Sequence, residues 1–151
     1  MPTITPFLWF DTQAEEAMNF YASIFKRSKV ISVNRAQGKV MSVQFELEGQ
    51  EFMALNAGPN FKFTEAISFF VGCRTQEEID ELWAKLIAEG GEPSRCGWLK
   101  DRFGLSWQII PKTLGGMLGD KDAAKSTRVM NAMLQMTKLD QKQLQQAYDG
   151  E

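Results

Sequence analysis

The residue type that most constrains the chemistry of this 151-residue chain is one it does not contain: there is no histidine. Imidazole is the usual general base near neutral pH and the commonest transition-metal ligand. Its absence excludes Ser–His and Cys–His nucleophile pairs and leaves a zinc site only an unusual set of carboxylates and thiolates. The soft nucleophiles are Cys73 and Cys96. They lack metal-ligand spacing, so two free thiols in a reducing compartment are expected rather than a structural disulfide. Cys96 is followed by Gly97-Trp98, with Lys100 and Asp101 close behind. An extended chain would put Cys96, Trp98 and Lys100 on one face, where the ammonium would stabilise a thiolate and make Cys96 a catalytic candidate. The alternative reading has Lys100 and Asp101 as a solvated pair and Cys96 as a small apolar residue. Cys73 ends an apolar run and reads as core.

The bulk numbers narrow the partners. With 44% hydrophobic and 24% charged residues, the length suits one domain with a real core. Seventeen basic residues against 19 acidic ones, a formal net charge of −2, make no basic field for phosphate backbones or anionic lipids. No nucleic-acid or membrane partner is therefore expected. No apolar run is long enough to span a bilayer, and Met1-Pro2-Thr3-Ile4 lacks the order of a signal peptide, so a cytoplasmic location is expected.

The elements that must position these residues follow from periodicity. Ile4 to Phe10 suits a strand, and Thr12 with Glu15 has capping-box spacing before a helix with Ala14, Ala17, Met18, Tyr21, Ile24 and Phe25 on one face. Val30–Arg35, Met41–Leu47 and Glu51–Asn56 read as a three-strand meander with turns at Gln37-Gly38 and Glu48-Gly49. The first half is β-α-β-β-β. A strand from Ala66 to Cys73, a capping box at Thr75 and Glu78, and a helix through Ile79, Trp83 and Leu86 repeat its opening. Superimposing Thr75 on Thr12 places Ile67 on Ile4, Phe70 on Phe7 and Glu78 on Glu15, which indicates an internal duplication. Cys96–Lys100 and Leu105–Ile110 complete a shorter second copy. Past Pro111, a stripe of Val129, Met130, Met133, Leu134 and Met136 predicts one helix. Leu139, Leu144, Ala147 and Tyr148, capped by Asp140, predict another. The methionines read as core. The expected fold is α+β: paired βαβββ modules over 1–111 (about 1–57 and 66–111) forming a cupped mixed sheet, then a C-terminal helical extension over 112–151.

The wording of the modules resembles a known family. Thr5-Pro6-Phe7-Leu8-Trp9-Phe10-Asp11, Ala14-Glu15-Glu16-Ala17, Ala54-Leu55-Asn56 with Gly58-Pro59, Cys96-Gly97-Trp98-Leu99-Lys100-Asp101 and Phe103-Gly104-Leu105-Ser106-Trp107-Gln108 are similar to the PhnB-like branch, labelled 3-demethylubiquinone-9 3-methyltransferase, of the glyoxalase/bleomycin-resistance (vicinal oxygen chelate) superfamily. The similarity extends to Arg128-Val129-Met130 and the helical end. It implies a cup around a pocket and a homodimer. Metal-dependent members of the superfamily place His, Gln or Glu at four inward-facing positions, which fall here on Thr3, Met53, Ala66 and Gln108. Only Gln108 is a conventional ligand, so no metal site is expected. The methyltransferase label implies S-adenosylmethionine, commonly held by a glycine-rich strand-to-helix turn. Gly90-Gly91 follows a helix and Gly115-Gly116 precedes a polar turn, so no cofactor is expected.

The superfamily pattern turns Ala66, Ser68 and Phe70 into the pocket. The duplication adds Thr5, Phe7 and Trp9, and alternation adds Ser106 beside Gln108. The expected function is metal-independent binding of a planar or amphipathic small molecule. Phe7, Trp9, Phe70 and Trp98 would form the wall, and Asn56, Ser68 and Gln108 would orient the ligand. Two alternatives remain: an enzyme of the same superfamily, a lyase, isomerase or methyltransferase using Cys96 and Gln108, or a structural or regulatory dimer with a filled cup.

Overall fold

Strand alternation decides the architecture. In the computed structural model, which describes residues 1–151, the chain divides into two units, Met1–Lys62 and Phe63–Glu151. The first contains β1 (Phe7–Phe10), α1 (Ala14–Ile24), β2 (Ser28–Ala36), β3 (Lys39–Leu47) and β4 (Gln50–Asn56). Its strands lie in the order β1-β4-β3-β2, with β1 parallel to β4 and the other pairs antiparallel. Leu8, Phe10, Val43, Phe45, Phe52 and Ala54 are buried, while Trp9, Ser42, Gln44, Met53 and Leu55 between them are only half-buried. One sheet face is thus core and the other is open within this unit. Buried Ala14, Ala17, Met18 and Tyr21 of α1 give that core its second layer, Tyr21 stacking on Phe45 with ring centroids 6.3 Å apart. Two-residue turns join β2 to β3 at Gln37-Gly38 and β3 to β4 at Glu48-Gly49. All four turn residues have positive φ, the geometry that matches the twist of a hairpin.

The capping box expected at Thr12 and Glu15 does not form. Gln13 is the N-cap without a side-chain bond, and the Ala14 N–H instead donates to Asn56 Oδ1 at 2.9 Å, so the helix is capped from β4. Glu15 pairs with Arg35.

The second unit repeats the plan with β5 (Ser68–Cys73), α2 (Gln76–Leu86), β6 (Glu92–Pro93), β7 (Trp98–Lys100) and β8 (Ser106–Pro111). Its sheet order, β5-β8-β7-β6 with β5 parallel to β8, copies the first. The register carries the duplication to single residues: Phe7 lies opposite Met53 in one sheet, and Phe70 opposite Gln108 in the other. Buried Ile79, Trp83 and Leu86 line the inner side of α2. Thr75 caps this helix as expected, accepting from the Glu78 N–H at 3.1 Å, while the Glu78 carboxylate accepts from the Arg74 N–H.

Three helices close the second unit: α3 (Leu114–Leu118), α4 (Ala123–Leu134) and α5 (Gln141–Asp149). Their core is Ile110, Leu114, Val129, Leu139 and Leu144, with Met117, Met133 and Met136 packed against it. Met133 and Met136 fill core as expected, but Met130 and Leu134 of the same stripe are exposed, which corrects the reading of the whole stripe as core. Asp140 caps α5. The sequence reading missed α3 and took Gly115-Gly116 for a prelude to a turn; both glycines lie inside that helix. Gln76 ties the extension down, its Nε2 donating to Leu139 O at 3.0 Å and its Oε1 accepting from the Gln141 N–H at 2.8 Å. No helix is long and apolar enough to cross a membrane.

Candidate functional site

On the second unit's sheet the expected ligand residues share one face. Phe70 on β5, Gln108 on β8 and Trp98 on β7 are direct cross-strand partners and form a row of three. The adjacent row runs Ser68, Ser106, Lys100 and Glu92, again by direct pairing across β5, β8, β7 and β6. Leu99, Trp107 and Ile109 alternate onto the opposite, buried face. Gln108 Nε2 donates to Ser68 Oγ at 2.9 Å across the two rows. That bond fixes the amide and leaves its carbonyl oxygen as an acceptor. Phe70 is 64% exposed, an apolar ring left uncovered next to an oriented amide.

The second row opens onto a cavity of about 280 Å³ lined by Glu65, Glu92, Ser94, Trp98, Lys100 and Ser106. Lys100 pairs with Glu65, and this hydrogen bond holds the Glu65 carboxyl below its ordinary range and the Lys100 ammonium above its own. Ser106 is 1% exposed and its hydroxyl has no hydrogen-bond partner. Sequence reasoning placed Ser106 correctly beside Gln108. It missed Glu65, in the loop before β5, and Glu92, in a two-residue strand too short to leave a periodic signal.

Three residues lie where the sequence pattern does not put them. Asn56, expected to orient the ligand with Ser68 and Gln108, lies opposite Phe10 on the helix-facing side of its sheet, since alternation from Met53 and Leu55 turns it inward. Its Oδ1 accepts from Ala14 N–H and its Nδ2 donates to Val40 O at 3.1 Å, so it serves the fold. Cys96 was expected in line with Trp98 and Lys100. It precedes β7 with φ of 58° in a left-handed turn, its N–H donating to Met136 O, and strand alternation does not apply to it. Nor is Asp101 a solvated partner of Lys100: it is 3% exposed. Phe7 and Trp9 do share a face of the first sheet. The Trp9 indole N–H donates to Gly58 O at 2.9 Å and its ring meets Phe61 edge-on at 4.9 Å.

Both thiols are free. Burial, followed by the nearby Glu78 carboxylate, raises Cys73 to about 11. At pH 8 roughly one Cys73 in a thousand is thiolate. Iodoacetamide at that pH is expected to label Cys96 and leave Cys73 intact until the protein unfolds, read by peptide mass spectrometry; equal labelling of the two in the native state would contradict the burial.

Of the four superfamily metal positions, Thr3 and Ala66 precede their strands, Met53 offers a thioether, and the Gln108 amide is bonded to Ser68. No group of three or more His, Cys, Asp or Glu residues could hold a metal ion. This donor set does not fit a divalent cation. The methyl-donor cofactor fits no better. Both sheets are four-stranded and mixed; Gly90-Gly91 closes α2 and Gly115-Gly116 sits inside a five-residue helix.

A family model described as 3-demethylubiquinone-9 3-methyltransferase matches residues 2–110. A PhnB protein from Bacillus cereus is 40% identical, with a TM-score of 0.68 over 73% of this chain and 99% of that one. The fold is also that of a glyoxalase/bleomycin resistance protein from Albidiferax ferrireducens (13% identity, TM-score 0.50, 70% of this chain and 93% of that one). FosX from Listeria monocytogenes, a fosfomycin resistance protein solved with Mn(II) and sulfate, shares it too (15% identity, TM-score 0.55, 75% of this chain and 91% of that one). No curated protein matches the chain. The family match covers residues 2–110 and does not include the C-terminal helices.

Proposed function

The chain belongs to the 3-demethylubiquinone-9 3-methyltransferase (PhnB-like) family, and from that premise we propose that it is a metal-independent small-molecule-binding protein whose ligand rests on the open sheet face of the second unit. The observation that carries this reading is the row of Phe70, Gln108 and Trp98, in which two aromatic side chains flank an amide already oriented by Ser68. Such a row stacks a planar or apolar body while Gln108 fixes its direction through the free carbonyl oxygen. Phe7 and Trp9 offer an equivalent apolar wall on the first unit's own sheet. Metal independence is supported by the donor chemistry at Thr3, Met53, Ala66 and Gln108. Catalysis through Cys96 draws no support from a residue lying in a turn outside β7.

The proposal extends to a cytoplasmic homodimer that does not bind nucleic acid. A near-neutral charge balance supports the last point, and exposed Val30, Ile31 and Met41 offer a second copy an apolar surface.

Untagged protein purified without added metal or chelator tests the reading by elemental analysis and by mass spectrometry of released small molecules. The expected result is sub-stoichiometric metal and a co-purified organic compound. Near-stoichiometric Zn, Ni, Mn or Fe would overturn metal independence. Neither metal nor compound would favour the structural dimer with a filled cup.

A further inference from the structure

We propose that the cavity beside Lys100 selects a small organic cation, a primary ammonium group carried on an aromatic or apolar body. This inference rests on the binding reading above and names the chemistry of its ligand. The row Ser68–Ser106–Lys100–Glu92 brings four polar side chains to one face by direct strand pairing, next to Trp98 in the neighbouring row. The cavity that Ser106, Lys100, Glu92 and Trp98 line, about 280 Å³, has room for roughly ten non-hydrogen atoms at a water-like volume for each.

Charge decides what enters. Two carboxylates, Glu65 and Glu92, face one ammonium, and Lys100 is already paired with Glu65. The Glu92 carboxylate acts on Lys100 through space, without a hydrogen bond to it. An incoming anion would meet two carboxylates and a cation committed elsewhere; an incoming ammonium meets the Glu92 carboxylate beside the Trp98 indole.

Ser106 is the second, independent pointer. Its Oγ is buried in the cavity wall without a partner, whereas buried side-chain polar atoms are nearly always paired. A hydroxyl oxygen accepts readily from an ammonium N–H. Three recognition elements of different kinds therefore converge: the Glu92 carboxylate for charge, the Ser106 oxygen for hydrogen-bond direction, and Trp98 for the apolar body.

Three probes of matched size test the assignment: phenethylammonium, phenylacetate and benzyl alcohol, each titrated into the full chain with 1H–15N spectra recording the Trp98 indole and the Gln108 amide. Phenethylammonium is expected to bind and move the Trp98 resonance. Its affinity should fall roughly tenfold in Glu92→Gln and several-fold in Ser106→Ala. Because Glu92 is exposed, its replacement leaves the fold intact. Phenylacetate binding as tightly as the cation, or phenethylammonium keeping its full affinity in Glu92→Gln, would overturn the inference. Benzyl alcohol matching the cation, with shifts at Gln108 and Trp98, would overturn charge selection and leave the small-molecule reading standing. No shift with any probe would overturn the cation site, while the co-purified compound decides the broader reading separately.

Discussion

Asp101→Ala is expected to destabilise the second unit by about 3–5 kcal/mol, seen as an earlier midpoint in urea unfolding followed by tryptophan fluorescence. The carboxylate is almost wholly buried. Its Oδ1 accepts from the Phe103 N–H at 2.9 Å and the Leu105 N–H at 3.1 Å, and its Oδ2 from the Trp107 indole N–H at 2.9 Å. Hydrogen bonds to a charged acceptor contribute about 1.5–3 kcal/mol each, offset in part by the cost of burying the carboxylate. Alanine strands three donors, two of them at sites that water cannot reach without opening the turn from β7 to β8. Asp101→Asn keeps the shape but puts an NH2 group against one of these donors, so it should lose about 1–3 kcal/mol. A loss below about 1 kcal/mol for Asp101→Ala would mean that the carboxylate does not organise this turn.

Gly97→Ala should cost about 2–4 kcal/mol at the other end of the same strand. Gly97 has φ of 86°, where an L side chain is strained, and an added Cβ would lie 2.8 Å from Ile110 Cδ1, 3.0 Å from Ile109 O and 3.1 Å from Leu139 Cδ1. The isoleucine and leucine tips can move aside; the carbonyl cannot, because Gly97 O accepts from that same residue's N–H at 2.8 Å. The Gly97 N–H also donates to Thr137 O, so relief at this point would loosen the C-terminal extension. Gly104→Ala is the control. Its φ is 89° but nothing lies within 4 Å, so only the conformational cost of about 1 kcal/mol applies. Equal losses in the two variants by chemical denaturation would show that the close approach at Gly97 has no energetic weight. Together Gly97 and Asp101 bracket the three residues of β7 and so hold Trp98 and Lys100 in the candidate site.

What the sequence made legible follows from what it can encode locally. Alternation in β3, β4 and β8 shows which side chains face α1 and α2, and the duplication pairs Phe70 with Gln108 as it pairs Phe7 with Met53. Ser68, Phe70, Trp98 and Gln108 could be grouped by those rules once the superfamily resemblance had set which face of the strands turns inward. Asn56 could not be placed, because its partners Ala14 and Val40 lie 42 and 16 residues away and nothing near Asn56 announces them. Thr12 and Thr75 carry the same capping spacing, and only Thr75 caps; the tertiary bond from Asn56 displaces the local one at α1. Cys96 fails for a third reason. Cys96 and Gly97 both have positive φ ahead of β7, and the alternation rule counted through them. Glu65 reaches the cavity from a loop and Glu92 from a strand of two residues, neither long enough to show a period.

The central claim is that ligand binds the open face of the second sheet without a metal. The most direct test is a titration of chelator-treated protein with the compound released from it, following the Gln108 side-chain amide and the Trp98 indole by 1H–15N spectroscopy. The account predicts that both resonances shift saturably, that Gln108→Leu abolishes the shift at Trp98, and that adding Mn, Ni or Zn ions changes nothing. Shifts that emerge only after a divalent ion is restored, or that map to residues away from Phe70, Trp98 and Gln108, would contradict it.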